Sequence, residues 1–150
     1  METKYPNKTP LTIYPEGSTQ NNTHLAPFKR GSFSAETTTL IPVVMKYQCS
    51  LFLPFNEVFS DLQCIILTSC NFVPVYMETT VMPAFQPNDY LYETHTKQFP
   101  EKLQAKWHVY SWAVREAMSV QSGLPCIDQD QREHILYWKF LIGKAKSYNI

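Results

Sequence analysis

The stretch Tyr14-Pro15-Glu16-Gly17-Ser18 constrains this chain more than any other. Thr12-Ile13-Tyr14 is a short β-favouring run stopped by a proline, which suits the end of a buried strand. A carboxylate, a residue without a Cβ and a hydroxyl follow at once, the composition of a tight turn. In open α/β sheets such turns at strand ends line the ligand crevice. Two further signals come soon after. Phe28-Lys29-Arg30-Gly31-Ser32-Phe33 sets a basic pair beside a glycine, and Leu40-Ile41-Pro42-Val43-Val44 opens a second strand, expected over residues 40–47. An ordinary strand, turn, helix and strand unit also satisfies these signals.

The rest of the chain alternates strand and helix patterns, which predicts an α/β domain. Residues 29–36 read as a short helix. Residues 51–70 are the most apolar region, with Phe55, Phe59, Leu62 and Ile66 on one helical face beside Val58 and Ile65. Asn56, Glu57, Asp61 and Gln63 interrupt it, and a bilayer span needs about twenty apolar residues. It therefore reads as a buried amphipathic helix, or as one that touches a membrane interface or an acyl chain. Residues 72–82 read as a strand, with Val73, Val75 and Met77 alternating, and residues 83–98 as a polar connection. A helix is expected from Pro100 to a C-cap at Gly123, carrying Leu103, Trp107, Tyr110, Val114 and Ala117 or Met118. A last helix is expected over residues 128–143.

Composition narrows the partners. Thirteen acidic and thirteen basic side chains cancel, so no broad field draws nucleic acid. Aromatic residues make up 14% of the chain, which suits a packed core and equally a membrane-interface surface. Cys49, Cys64, Cys70 and Cys126 form no Cys-x-x-Cys, and neither a zinc pattern nor a disulfide framework follows from their spacing. Free thiols are expected. The polar first residues do not read as a signal peptide, so the sequons at Asn7 and Asn21 are taken as chance. No Walker loop, dinucleotide fingerprint, catalytic triad or metal-ligand spacing is present.

Taken together, the three signals resemble the second half of the glycerophospholipid acyltransferase domain, in the lysophospholipid and glycerol-3-phosphate branch. That family carries Phe-Pro-Glu-Gly-Thr, then Phe-Lys-x-Gly-x-Phe, then a Val/Ile-Pro-Val strand. Gln20-Asn21-Asn22-Thr23 also resembles an Asn-x-Thr found between the first two. The likeness is dense from about residue 11 to residue 47. It implies one partial acyltransferase domain over residues 1–150, with a mixed sheet flanked by helices. Residues 1–10 would form a loose lead-in, residues 11–82 the sheet with its motif loops and residues 99–143 a helical region.

The resemblance implies acyl transfer from acyl-CoA to a lysophospholipid or to glycerol-3-phosphate, without a metal cofactor. The place would be the cytosolic face of an internal membrane, such as the endoplasmic reticulum. It implies substrate binding by Glu16, Gly17, Ser18, Lys29 and Arg30. Gly17 lets backbone N–H groups approach an anion, Ser18 donates a hydroxyl, and Lys29 and Arg30 are phosphate cations, although a solvated basic pair has the same sequence. A bare Glu16 would repel phosphate, so it must bond its own loop, a cation or a substrate hydroxyl.

Two signatures of that family, His-x-x-x-x-Asp and one around an arginine that follows it, are missing. The general base is the histidine of His-x-x-x-x-Asp, and the residues five places after His24, His95, His108 and His134 are Lys29, Pro100, Ala113 and Lys139. His24 is the local candidate to replace that base, with a solvated loop histidine as the alternative. His95, His108 and His134 read as structural. No catalytic residue is therefore assigned, and the chain alone is expected to be inactive, as a carboxy-terminal portion or a degenerate copy. A non-catalytic lipid- or partner-binding module is the alternative, and a small phosphate-binding α/β protein a third.

Overall fold

The computed structural model describes residues 11–17, 22–35, 38–49, 60–70, 72–128 and 131–143. The expectations for residues 1–10, for Ser18 and for Phe55, Val58 and Phe59 lie outside them. Two strands, β1 (Val43–Gln48) and β2 (Tyr76–Val81), pair antiparallel, with Val43 opposite Val81 and Gln48 opposite Tyr76. Among the described residues, four α-helices follow as α1 (Asp61–Ser69), α2 (Asp89–His95), α3 (Lys106–Ser122) and α4 (Gln131–Leu141). Helices and sheet together make the expected α/β class.

The core gathers on one stripe of α3. Tyr110, Val114 and Met118 recur at helical spacing and pack against Leu25, Phe28, Phe33 and Val44, with Trp107 at the margin. Phe33 meets the Tyr110 ring edge-on at 5.2 Å, and Phe85 stacks on it at 5.6 Å. Such aromatic pairs add to the burial itself. The Tyr110 hydroxyl donates to the carbonyl of Thr38 at 2.7 Å, so the phenol is satisfied although only 1% exposed. Tyr110 thereby ties α3 to two distant segments at once.

The sheet lays one face on this helix. Val44 is buried there, and the Lys46 ammonium donates to the carbonyl of Ser122 in the last turn of α3. A cation at a helix C-terminus answers the carbonyls that the helix leaves unpaired. Pairing continues past the strands, with Met82 N–H bonded to Pro42 O at 2.9 Å and Leu40 bridged to Phe85. Pro42 has no N–H for the ladder and is buried just before β1, at the strand entrance expected of it. Gly123 closes α3 at φ +70°, and its N–H bonds to Ser119 O at 2.8 Å, as the C-cap reading requires.

Several expectations need correction. Residues 11–14 form no strand and are exposed, with Leu11 at 83%. No strand lies beside them among the described residues, and an extended segment without a partner has no ladder. The helix expected at residues 29–36 is only a 3-10 turn, Arg30–Phe33. α3 starts at Lys106 rather than near Pro100, after a separate 3-10 turn, Glu101–Leu103, and an extended Ala105. Residues 83–98 are not all connection, because Asn88 caps α2 by accepting from Leu91 N–H at 2.9 Å. α1 begins at a Ser60–Gln63 capping box but buries none of its residues. Leu62, Ile65 and Ile66 are each more than half exposed, so the buried reading of that helix fails.

Burial, and then neighbouring Tyr92, push the Tyr110 phenol up to about 12. The unfolded chain loses this proton at about pH 10, so the folded state is favoured fully below that pH. The contribution is lost as pH rises through about 12. Denaturant titrations across alkaline pH should therefore show stability falling over that window. Tyr110→Phe should flatten the fall, at a cost of about 1 kcal/mol near neutrality for the lost Thr38 bond. An unchanged alkaline slope in the variant would contradict this assignment.

Candidate functional site

The motif residues meet because the chain turns sharply after Tyr14. Gly17 N–H bonds back to Tyr14 O at 3.2 Å, with Pro15 at the second position of the turn. Gly17 stands at φ +76°, a conformation that costs any residue with a Cβ. The turn is then fastened to the second motif, with Lys29 N–H donating to Pro15 O at 2.7 Å. The Lys29 side chain runs over the glycine. A Cβ at Gly17 would come within 3.3 Å of Lys29 Cγ and 3.6 Å of Lys29 Cε. The glycine thus serves two needs, a left-handed backbone and room for the lysine stem.

Glu16 is turned inward to its own loop. Its Oε1 accepts the N–H of Ala26 at 2.9 Å, and Ala26 is only 4% exposed. This is the first of the three partners that the sequence allowed it. Arg30 is exposed at the start of the 3-10 turn, while Phe28 and Phe33, the aromatic ends of that motif, are both buried. The motif therefore divides its labour, with the phenylalanines as anchors in the core, Lys29 half-buried and Arg30 on the surface. Ser18 lies outside the described residues.

Other parts of the loop were not assigned from the sequence. Asn22 takes φ +64° and its Nδ2 donates to Tyr47 O on β1 at 2.8 Å. Asparagine tolerates that conformation better than most side chains. The loop is also joined to the segment after α3. Leu25 N–H bonds to Pro125 O at 2.9 Å, and Ile127 N–H returns to Leu25 O at 3.1 Å. Arg115 of α3 reaches both Leu25 O, at 3.2 Å, and Ile127 O. No periodicity marks Arg115 as special, since it falls between apolar positions of an amphipathic helix.

His24 is half-buried, and its Nδ1 lies 2.9 Å from the Thr23 hydroxyl. His95 and His108 belong to an aromatic cluster, with Phe99 edge-on to His108 at 5.1 Å and Trp112 at 5.2 Å from His95. Burial, then the charge of Arg115, lower the His108 pKa, which favours a neutral ring. Among the described residues, no three His, Cys, Asp or Glu side chains converge on a metal-sized site, and no helix is long and apolar enough to cross a membrane.

The motif order and the meeting of Gly17 with Lys29 fit part of a glycerophospholipid acyltransferase domain, and comparison with known proteins agrees with that class. The lysophospholipid acyltransferase LPEAT1 of Arabidopsis thaliana is 34% identical over 120 residues, which is 79% of this chain and 27% of that protein. The chain thus spans about a quarter of the length of the curated relative it matches. No family model and no solved structure matches it.

Two glycine substitutions separate the demands on this site. Gly17→Ala should cost about 1–2 kcal/mol for its left-handed backbone and displace Lys29. Gly31→Ala should stay within about 0.5 kcal/mol of wild type, since a Cβ there meets nothing within 4 Å. Equilibrium unfolding of the two variants checks the contrast, and equal losses would refute it.

Proposed function

We propose that this chain forms the acyl-acceptor part of an acyl-CoA-dependent glycerophospholipid acyltransferase. The acceptor is a lysophospholipid, with glycerol-3-phosphate as the smaller alternative. The carrying observation is the packing of the Lys29 stem across the Gly17 turn, which sets a cation beside a backbone held in place by Glu16. Lys29 and Arg30 serve the phosphate, and Ser18 adds a hydroxyl. The similarity to a lysophospholipid acyltransferase supports this choice of acceptor over a phosphate ligand unrelated to lipids.

Acyl transfer to a hydroxyl needs a base to take its proton as the thioester is attacked. These residues hold no His-x-x-x-x-Asp, so the purified chain should bind acceptor without turning it over. That same observation favours a second reading, a non-catalytic lipid-binding module derived from such an enzyme. Both readings place the chain at a membrane surface, on the cytosolic side of the endoplasmic reticulum. The exposure of Leu62, Ile65 and Ile66 on α1, and of Phe72 at 96%, suits contact with lipid.

Glycerol-3-phosphate and a short-chain lysophospholipid, titrated against the labelled chain, should shift the amide signals of Gly17 and Lys29. Lys29→Ala should weaken binding about ten-fold, the usual worth of one charge-assisted bond. Labelled acyl-CoA should yield no acylated product. Turnover lost on His24→Ala but kept on Glu16→Ala would overturn the proposal, as would ligand shifts that avoid the Gly17 turn. Flotation with phosphatidylcholine vesicles should carry the chain upward, and Leu62→Glu with Phe72→Ser should leave it at the bottom.

A further inference from the structure

One peptide group lies between two opposite charges. The Leu25–Ala26 peptide turns its carbonyl toward Arg115, whose Nη2 donates to it at 3.2 Å, and its N–H toward Glu16, whose Oε1 accepts at 2.9 Å. A cation at the oxygen end and an anion at the N–H end both favour this orientation of the peptide dipole. Each also polarises the bond made at the other end. Leu25 and Ala26 are 7% and 4% exposed, so water screens little of this effect. Ile127 N–H bonds the same carbonyl at 3.1 Å and fixes it from the other side.

The donor is built for this place. Arg115 is 12% exposed, and its Nη2 bridges Leu25 O and Ile127 O. Its carboxylate neighbour, Asp128, lies 3.9 Å from Nη1 and is fully exposed, so carbonyls rather than a salt bridge hold the guanidinium. A lysine has the charge, but its ammonium ends one bond nearer the backbone than Nη2 and is a flexible point charge rather than part of a rigid plane. Arg115 lies on α3 beside Val114, which is only 2% exposed.

We propose that Arg115 is a positioning residue for the candidate acceptor site. It acts through the Leu25–Ala26 peptide to hold the Glu16 carboxylate, and with it the turn that places Gly17 under Lys29. The relay is a property of the folded chain. Its effect on ligand rests on the acyl-acceptor reading above.

Amide hydrogen exchange of the full chain tests the relay without ligand, in wild type, Arg115→Lys, Arg115→Met and Glu16→Gln. Exchange at Ala26 should quicken about ten-fold or more in both Arg115 variants, while Val114 stays protected. Glu16→Gln, which keeps an acceptor but not the charge, should give a smaller increase at Ala26. Glycerol-3-phosphate should bind both Arg115 variants about ten-fold more weakly than wild type. Unchanged exchange at Ala26 in a folded Arg115→Lys variant would overturn the proposal. Equal quickening at Ala26 and Val114 would also overturn it, because that marks general loosening. If Arg115→Met does not fold, Arg115→Lys decides alone. A relay that behaves as described in a wild-type chain that ignores both glycerol-3-phosphate and a short-chain lysophospholipid would sink the acyl-acceptor reading and leave the relay standing.

Discussion

Packing of aromatic side chains on one stripe of α3 is the constraint on which the rest depends. Tyr110 receives Phe33 on its edge and Phe85 on its face, and its hydroxyl holds the carbonyl of Thr38. Those contacts come from two separate stretches of chain, residues 33–38 and Phe85. Without them the motif segment has little to rest on, because its own secondary structure is one 3-10 turn of four residues. Hydrophobic burial therefore places the loop, and hydrogen bonds then decide its shape.

The loop solves an electrostatic problem in the same economical way. A glutamate between a glycine turn and a basic pair threatens either to cancel the cations or to repel a ligand. Bonding it to a buried N–H commits one of its oxygens to the backbone, and the lysine stem lies over Gly17. The carboxylate becomes part of the scaffold. Arg30 keeps to the surface and Lys29 is half-buried, while the phenylalanines around them sink into the core.

Much of this was legible in the sequence. Gly17 and Gly123 announce positive φ, and both have it. The 3.6-residue recurrence of Tyr110, Val114 and Met118 predicts a buried stripe, and it is the core. Pro42 marks the strand entrance because it cannot donate to a ladder. The failures have physical reasons. Residues 11–14 have strand composition, but composition cannot say whether a partner strand lies beside them. The apolar face of α1 has helical period, but period does not say what covers it. α2 is a short helix with a weak stripe, and its signal was the cap at Asn88 followed by Asp89. Arg115 was invisible because its partners are carbonyls, and every residue has one.

The bridge between Leu25 and Cys126 bears on how the molecule comes into being. Arg115 and Leu25 are 90 residues apart in sequence, and Tyr110 and Thr38 are 72 apart. Contacts this distant repay their loop-closure entropy only late in folding. During synthesis, the motif segment leaves the ribosome long before the helix that organises it. In that interval Phe33 lacks its Tyr110 partner, and the apolar stretch that includes α1 emerges in turn. The order of the chain thus makes the candidate site among the last parts to form.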